Sequence, residues 1–522
     1  MVLALTGLLI VLFVMYGKFG RGVEFFPNVE PETASLEIRA RGDYAVSEMD
    51  DIVRQVENRI IDMPEFESVY VRTGRGEREA EDVIGTVRLK LVNWRLRRPA
   101  NQILSEVRER TSDLAGIVIQ TSTPRMGPSS GKPINLELSS ANPIVLEVAT
   151  GQLRAALDAL PGLIDVEDSR PLPGIEWKLT VDRAKAAEFN ADITVVGNTV
   201  QLVTNGMKIG EYRPDDADDE IDIRVRYPAE FRSLDQIDKL RVPSRGGMVP
   251  ISTFVTRTPV QKVGTIQRSD MRRTLTVQAD LVPGVLADDV VHRIKEALPG
   301  LDLDPRVDIT FKGEDRDQRE ATEFLESALL IAVFMIAIIL VTQFNSIFQA
   351  GLILTAVLFS IGGVLLSLII SGMPFGIIMS GVGVISLAGI VVNNNIVLID
   401  TYNFLIKAGF EPVEAILRTC TQRLRPVMLT TVTTILGLMP MVLGVNLDFL
   451  NRDITIGAPS SQFWTQLATV IAGGLAFSTV VTLLLTPSLI VWQHNLMSRL
   501  RNWREQSRRN KSLAEEPANQ EV

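Results

Sequence analysis

Residues 387–400 read Leu-Ala-Gly-Ile-Val-Val-Asn-Asn-Asn-Ile-Val-Leu-Ile-Asp, which places three consecutive amides inside an otherwise apolar, membrane-length helix. Each residue of a helix is turned by ~100°, so the three amides span about 200° and at least one faces neighbouring helices. A polar side chain between membrane helices serves either as interhelical glue or in an ion path, because leaving it unpaired in hydrocarbon is costly. The stretch therefore predicts a helix packed inside a membrane bundle.

Apolar segments long enough to cross a bilayer recur through the second half of the 522-residue chain. Five of them reach the ~20 residues that a spanning helix requires. They are 325–342, 351–370, 377–399, 427–445 and 468–491. Val2–Tyr16 is a shorter, sixth candidate. It has no basic start, and the residues after it form a poor cleavage site, so we predict a retained helix rather than a signal peptide.

The charges of the short connections predict the orientation of these helices. Lys407, Arg418, Arg423 and Arg425 precede the fifth helix, and arginines follow the sixth, whereas the loop between the two has only Arg452. Lysine and arginine favour the cytoplasmic side, so both termini are expected there. The long soluble part between the first and second helices then lies outside the cytoplasm. Its acidity is no objection, because long domains cross the membrane largely regardless of charge.

The soluble part contains an internal repeat. Residues 35–123 alternate as strand, helix, strand, strand, helix, strand, with helical spacing near 3.6 and strand spacing of two. This is the split βαβ, or ferredoxin-like, arrangement. A second copy begins at Ile134 and is interrupted by an insert of mixed character before its closing half. The fold class predicted is an α+β membrane protein with six transmembrane helices, one before and five after the soluble part.

The predicted divisions follow from these patterns. The chain divides into a first helix, a first α+β unit, the first half of a second unit, an insert, the second half of that unit, a five-helix bundle, and a basic then polar tail. Their bounds are 1–17, 18–132, 133–182, 183–264, 265–320, 321–494 and 495–522.

Composition argues against several classes of function. The formal net charge is -9 and the basic residues are interleaved with carboxylates, which argues against a nucleic-acid partner. The single cysteine, Cys420, cannot form a disulfide framework within the chain. The two histidines, His292 and His494, have no metal-ligand spacing, so we predict no metal site and no cofactor. We predict a protein that is not an enzyme.

Several motifs resemble one protein family. Glu24-Phe25-Phe26-Pro27-Asn28 follows the first helix, and Arg-Leu-Arg-Pro-Val-Met-Leu-Thr at 423–430 precedes Ile-Leu-Gly-Leu-Met-Pro at 435–440. With the layout above, they resemble one half of a resistance–nodulation–division (RND) efflux permease of the hydrophobe/amphiphile type. The N-terminal half in that family carries paired aspartates in the helix that corresponds to 377–399. Asn393-Asn394-Asn395 stands there instead, so the chain resembles the C-terminal half.

The resemblance implies a function. The chain would be half of a proton-driven permease of the bacterial inner membrane that exports amphiphilic organic compounds. It would need an N-terminal half with the titrating carboxylates, and would act as a trimer with a periplasmic adaptor and an outer-membrane channel. The two α+β units would be porter subdomains, and the insert a docking subdomain. Two alternatives remain open: a non-transporting scaffold or inactive remnant of a split gene, and a metal-efflux or protein-export relative.

The resemblance also implies site residues. Asn393, Asn394 and Thr430 would receive the carboxylates of the other half, with Arg423 on the same face of the next helix as Thr430. Asn393 stands where many drug-exporting members have a lysine, and an amide cannot titrate. Because no carboxylate, lysine or histidine lies mid-helix, a partner must supply the titrating group. The competing interpretations are interhelical glue of ~0.6 kcal/mol per bond for the amides and Thr430, and a positive-inside anchor for Arg423.

Three further expectations concern packing. Asn395 is expected to face away from the other amides and pack against a neighbour. Pro412–Thr421 is expected to form a separate amphipathic helix along the cytoplasmic interface. Small residues in the spanning helices are expected to permit close helix contacts, and these are Gly362, Gly363, Gly381, Gly383 and Gly389.

Overall fold

The computed structural model describes most of the chain. The described residues are 2–27, 29–40, 44–74, 76, 82–124, 127, 131–170, 174–214, 220–244, 246–261, 265–448 and 452–515, with the backbone alone for 2, 3, 229, 234, 448 and 494–515. The chain starts with an apolar helix, α1 (Val2–Phe19), and a two-residue strand, β1 (Val23–Glu24).

The first α+β unit has four strands and two helices. In chain order they are β2 (Thr33–Ala40), α2 (Val46–Ile60), β3 (Phe66–Thr73), β4 (Val83–Leu91), α3 (Ala100–Thr111) and β5 (Ile117–Ser122). The strands form an antiparallel sheet in the order β3-β4-β2-β5, the order of a split βαβ unit. Alternate residues of β2, such as Leu36 and Ile38, are fully buried against Val56 and Ile60 of α2. The period-two pattern therefore places one face of the sheet under the helices.

The second unit starts with β6 (Ile134–Ser140), α4 (Pro143–Asp158) and β7 (Leu163–Asp168), and then an insert interrupts it. The described part of the insert contains β8 (Ile175–Val181), α5 (Arg183–Glu188), α6 (Ile193–Val203), β9 (Met207–Tyr212), β10 (Ile221–Val225), α7 (Leu234–Lys239), β11 (Arg241–Ser244), β12 (Gly247–Pro250) and β13 (Val255–Gln261). β8 pairs with β13 along its whole length. β8, which lies within the predicted segment 133–182, is thus paired with the last strand of the insert.

The closing half of the second unit completes its sheet. It consists of β14 (Gln267–Ser269), β15 (Arg272–Leu281), α8 (Ala287–Ala297) and β16 (Asp308–Gly313). β15 and β16 both pair with β6, and β7 pairs with β15. Leu136 and Leu138 of β6 are fully buried together with Val277 of β15. Segments more than 100 residues apart in the chain thus share one hydrophobic core.

The remaining elements form the bundle. They are α9 (Glu314–Phe344), α10 (Ile347–Ser371), β17 (Phe375–Gly376), α11 (Ile377–Lys407), α12 (Pro412–Val442), β18 (Val445–Asp448), β19 (Asp453–Ile456) and α13 (Pro459–Glu515). The five helices are long and apolar enough to cross a membrane, by length and composition, and the apolar part of α1 is shorter. α13 packs against α10, α11 and α12, and α1 packs against α10.

The expected separate helix at Pro412–Thr421 is wrong. This segment is the start of α12, which continues without a break to Val442. Pro426 lies inside the helix and removes one backbone hydrogen bond, yet membrane helices tolerate proline because other groups satisfy the freed carbonyl. The amphipathic segment 412–421 is therefore the first part of a helix that is long and apolar enough to cross a membrane.

Close contacts at glycines hold α13 against its neighbours. A Cβ atom added at Gly473 would lie 2.1 Å from the Cβ of Ser367, and one added at Gly474 would lie 2.2 Å from Cδ2 of Leu387. Gly363 meets α13 in the same way, with Phe477 Cβ at 2.5 Å. Gly389, for which we expected the same role, differs, since nothing lies within 4 Å of an added Cβ. It lies on an open surface of the described chain.

We expect Gly473→Ala to lower the stability of the purified full chain by about 1 to 3 kcal/mol, because the new methyl group collides with a Cβ that cannot move without its backbone. Gly389→Ala is the matched control and should change stability little. The measurement is the midpoint temperature of unfolding in detergent. An equal midpoint for the two variants would contradict the packing argument.

Candidate functional site

The three amides of α11 lie in three different environments. Asn395 is fully buried, and its Oδ1 accepts a hydrogen bond of 2.8 Å from the Thr486 hydroxyl of α13. Asn394 is 8% exposed and makes no hydrogen bond to any part of the chain that the structure describes. Asn393 is exposed. Asn395 is therefore a packing residue, the role expected for it, and the other two amides are left without partners among the described residues.

Asn393 belongs to an exposed stripe along α11. The exposed members recur at intervals of three, four or seven residues, and they are Val382, Ser386, Gly389, Asn393 and Asp400. This heptad-like spacing puts them on one side of the helix. Three of the five are small or carry an amide. The stripe is a helix face that no described element of the chain covers.

Thr430 and Arg423 of α12 do not join the amides. The Thr430 side chain is exposed, and its hydroxyl donates to the Val427 carbonyl of its own helix at 2.9 Å. Arg423 donates from Nε to the hydroxyl of Thr401 in α11 at 2.7 Å. No hydrogen bond within the described residues connects either side chain to Asn393 or Asn394. The predicted network between the two helices is thus not closed inside this chain.

Other interhelical hydrogen bonds join residues that the sequence analysis did not single out. Thr431 of α12 meets Thr479 of α13 at 3.0 Å between hydroxyl oxygens, and Gln349 of α10 exchanges two bonds with Asn403 of α11. The buried polar residues of α13 are Gln466, Thr469, Ser478, Thr479, Thr482 and Thr486, and the last three of them recur at intervals of three and four positions. That spacing was a readable sign of a buried polar seam in an apolar helix.

A carboxylate joins the bundle to the soluble units. Glu24 lies in β1, which pairs in parallel with β17 just before α11. Gln466, 4% exposed near the start of α13, donates from Nε2 to Glu24 Oε1 and to the Pro374 carbonyl. Burial raises the pKa of Glu24 to about 7, against the hydrogen bond from Gln466, and the nearby charge of Glu314 adds to the rise. The sequence analysis named Glu24 only as the first residue of a motif and did not predict this contact.

One cleft adjoins this junction, and another lies in the soluble part of the chain. One, of 430 Å³, is lined by carboxylates and by apolar side chains, among them Glu24, Phe25, Phe26, Leu286 and Glu314. The other, of 600 Å³, lies between the sheets of the two α+β units, and its lining is polar and charged. Within the described residues no group of three or more histidine, cysteine, aspartate or glutamate side chains could hold a metal ion.

We expect Glu24→Gln to stabilise the protein near pH 8. The folded state holds the Glu24 proton more tightly than the unfolded state does. The proton therefore contributes fully to the free energy of unfolding below the ordinary pKa of 4.5, and this contribution is lost as the pH rises through about 7. One pKa unit is worth about 1.4 kcal/mol, so the gain at high pH should be on the order of 1 to 3 kcal/mol.

The measurement is the unfolding midpoint of the full chain in detergent across this pH range. Glu32→Gln, which removes an exposed carboxylate from the same cleft, is the control and should leave the pH dependence in place. If wild type and Glu24→Gln have parallel pH curves, the cause assigned to the shift is wrong.

Known proteins resemble this chain along most of its length. The family model described as the AcrB/AcrD/AcrF family matches residues 1–494. The nickel and cobalt resistance protein CnrA of Cupriavidus metallidurans is 24% identical over 494 residues, which cover 90% of this chain and 44% of CnrA. The multidrug resistance protein MdtC of Edwardsiella ictaluri is 26% identical over 415 residues, 77% of this chain and 38% of MdtC.

Solved structures share the fold. The crystal structure of a heavy metal efflux pump, in its second crystal form, has a TM-score of 0.78 at 21% identity and covers 94% of this chain and 51% of that chain. The chain spans about half the length of the curated relatives it matches. Because the family model covers all but the last 28 of its 522 residues, this chain belongs to the AcrB/AcrD/AcrF family of RND efflux permeases.

Proposed function

We propose that this chain forms the C-terminal half of a proton-coupled RND efflux permease, and that a second RND half supplies the titrating carboxylates. The observation that carries the proposal is the exposed stripe of α11, with Asn393 at its middle. An amide facing lipid is costly, so such a face is expected to pack against another polar helix. The second half can lie on the same polypeptide or on another one.

The stripe has the shape that a helix contact needs. Ser386 and Gly389 are small, and an added Cβ at Gly389 meets nothing within 4 Å, so the backbone of another helix can come close. Asn394, one residue further on, is almost buried and has no hydrogen-bond partner in the described chain. Buried amides are normally hydrogen-bonded, and a group from the second half would satisfy this one.

The chemistry of the contact follows from the side chains. An ionised carboxylate accepts hydrogen bonds from the amide NH₂ of Asn393 or Asn394, and a protonated carboxyl group can donate to the amide oxygen. Thr430, exposed on α12, offers a hydroxyl that can do either. Arg423, held to Thr401, would fix α12 against α11 and add positive charge at one end of the site. These groups would rearrange as the partner's carboxylates gain and lose protons.

We extend the proposal to α1, to the two α+β units and to the insert. α1, packed on α10, would be the sixth spanning helix, and its 18 residues reach ~27 Å at 1.5 Å per residue. The two α+β units would be porter subdomains in the periplasm. The insert would dock neighbouring subunits of a trimer, together with a periplasmic adaptor and an outer-membrane channel. The β9–β10 hairpin supports this role because Ile209, Tyr212, Ile221 and Ile223 are all exposed on it.

An amphiphilic organic substrate is the class we propose. The cleft beside Glu24 combines the phenyl rings of Phe25 and Phe26 with several carboxylates, a lining suited to a cation that carries an apolar body. A second candidate is divalent-cation export, which the names of relatives such as CnrA suggest. A non-transporting scaffold is the third candidate, and it predicts no export at all.

The relay is tested in the intact two-half complex. We expect Asn393→Ala to reduce export by about fivefold or more, because the carboxylates of the second half lose the amide to which they hydrogen-bond. Fivefold is the effect of a coupling free energy at the low end of the usual range. Val382→Ala, on the same stripe but away from the amides, is the control and should export normally. Asn393→Lys tests whether a titrating group is tolerated there. Normal export by both Asn393 variants contradicts the relay role, and export by this chain without any second half contradicts the whole proposal.

The substrate class is tested separately. Cells that carry the complete complex should expel a cationic dye such as ethidium faster than cells with the Asn393→Ala complex, and both should accumulate nickel and cobalt equally. The measurements are dye fluorescence and metal content of the cells. Export of the metals but not of the dye would keep the permease and overturn the amphiphilic substrate. If the intact complex exports neither the dye nor the metals, the result favours the non-transporting scaffold.

A further inference from the structure

A short β-hairpin connects α12 to α13 at the end of the bundle that meets the soluble units. β18 begins three residues after α12 ends at Val442, and β19 ends three residues before α13 begins at Pro459. Gly457 donates from its backbone NH to the Gly444 carbonyl at 2.9 Å, and Ser461 of α13 donates to the same carbonyl. Both glycines have positive φ angles, which lets the chain turn sharply between helix and strand. The base of the hairpin is therefore fixed to the bundle, while its turn, 449–451, lies outside the described residues.

The hairpin is amphipathic. Val445 pairs with Ile456, and Leu447 pairs with Ile454, so these four side chains lie on one face. Asn446 and its partner Thr455 lie on the opposite face, and Asp453 lies beside them two residues from Thr455. The apolar face is largely bare, since Leu447 is 50% exposed, Ile454 64% and Ile456 68%. No element of the described chain covers it.

The polar face has a partner. Arg95 donates to the carboxylate of Asp453 at 2.8 Å and to the Ile454 carbonyl at 3.3 Å. Arg95 lies in a 3-10 turn, Trp94–Leu96, of the first α+β unit. An exposed ion pair of this kind adds little stability, but its two bonds fix an orientation. The polar face is turned to the soluble unit, so the apolar face is turned away from it.

The apolar face continues the apolar surface of the spanning helices. Leu443, at the end of α12, is 58% exposed directly before the hairpin. Trp464, 48% exposed in the second turn of α13, is an aromatic residue of the kind that marks a membrane–water interface. Arg452, exposed beside the turn, supplies a positive charge that lipid phosphates attract. Each of these features matches a lipid headgroup layer.

We propose that the β18–β19 hairpin is an interfacial membrane anchor. Its apolar face lies in the outer boundary of the same bilayer that α12 and α13 cross, with its polar face toward the first α+β unit. Through the Arg95–Asp453 contact, the hairpin sets the height of that unit above the lipid. The occupant of the apolar face is a lipid surface, rather than a second copy of the chain or the other RND half. The proposal needs only that α12 and α13 span the membrane, and it is independent of the proton relay.

Single cysteines test which solvent each face meets. Cys420 is the only cysteine, so Cys420→Ser gives a background for Leu447→Cys and Ile456→Cys on the apolar face and for Asn446→Cys and Thr455→Cys on the polar face. The full chain is produced with its second RND half, labelled with an environment-sensitive fluorophore, and kept in spheroplast membranes. Quenching is measured with a nitroxide carried near the lipid headgroup and with aqueous iodide.

The anchor predicts opposite results on the two faces. Labels at 447 and 456 should be quenched by the lipid nitroxide at least about threefold more than labels at 446 and 455, with the order reversed for iodide. Equal access of iodide to all four labels would overturn the proposal, because the apolar face would then lie in water. Protection of 447 and 456 from both quenchers would also overturn it, because a protein surface would then cover the face.

A variant tests the link to the soluble unit. Asp453→Asn removes the charge that Arg95 binds while keeping a side chain of the same shape. Labels at 447 should still be quenched by lipid, whereas a label on an exposed residue of the 3-10 turn, Leu96→Cys, should show a broader distribution of distances to the membrane. An unchanged distribution at residue 96 would show that the ion pair does not set the height of the first unit.

Discussion

The close approach of α13 to α10 and α11 is the contact on which the rest of the structure depends. Gly473 and Gly474 leave no space for a side chain, so the backbones come together and the flanking residues of α10 and α11 fit against α13. Lipid is as apolar as leucine, so helices in a bilayer gain little from burying apolar surface, and association relies on packing and hydrogen bonds. The glycines supply the packing. The buried hydroxyl and amide groups of α13, with Thr431 and Asn395 on its neighbours, supply the hydrogen bonds.

Because α13 is fixed in the bundle, its first turns can hold the soluble part. Gln466 binds the carboxylate of Glu24 and the loop before α11, and thus joins the strand after α1 to two spanning helices. The hairpin before α13 reaches the first α+β unit through Arg95. These two contacts differ in chemistry, since one is a partly buried hydrogen bond to a carboxyl group whose pKa is raised by burial and the other is an exposed ion pair. A movement of the helices would therefore reach the soluble units through these two contacts as well as through α9, which directly follows β16.

The spanning candidates differ in how much of their surface the described chain itself covers. α10, α11 and α13 are about half buried or more over their apolar windows, whereas α9 and α12 are almost bare. Some of that bare surface is apolar and can face lipid. The stripe through Asn393 is different because it carries amide, hydroxyl and glycine positions at helix-contact spacing. A surface of that composition is suited to another helix.

Sequence periodicity determined most of the elements. The alternation of apolar residues predicted both split βαβ sheets, and the apolar windows predicted the five long helices, because a strand repeats every two residues and a helix every 3.6. The local sequence pattern gave a wrong prediction for a helix boundary. The amphipathic start of α12 read as a separate helix, although a proline inside a membrane helix need not end it.

What only the tertiary structure decided is the direction in which each polar residue of the bundle points. The sequence fixes the angles between Asn393, Asn394 and Asn395 around α11, since each is turned by ~100° from the last, but not the rotation of α11 relative to its neighbours. That rotation comes from contacts with residues far away in the chain, such as Leu387 against Gly474 and Asn395 against Thr486. Family membership and the location of the amides could thus be read from the sequence alone. Which amide is buried, and which one is exposed, depends on packing that the sequence pattern does not contain.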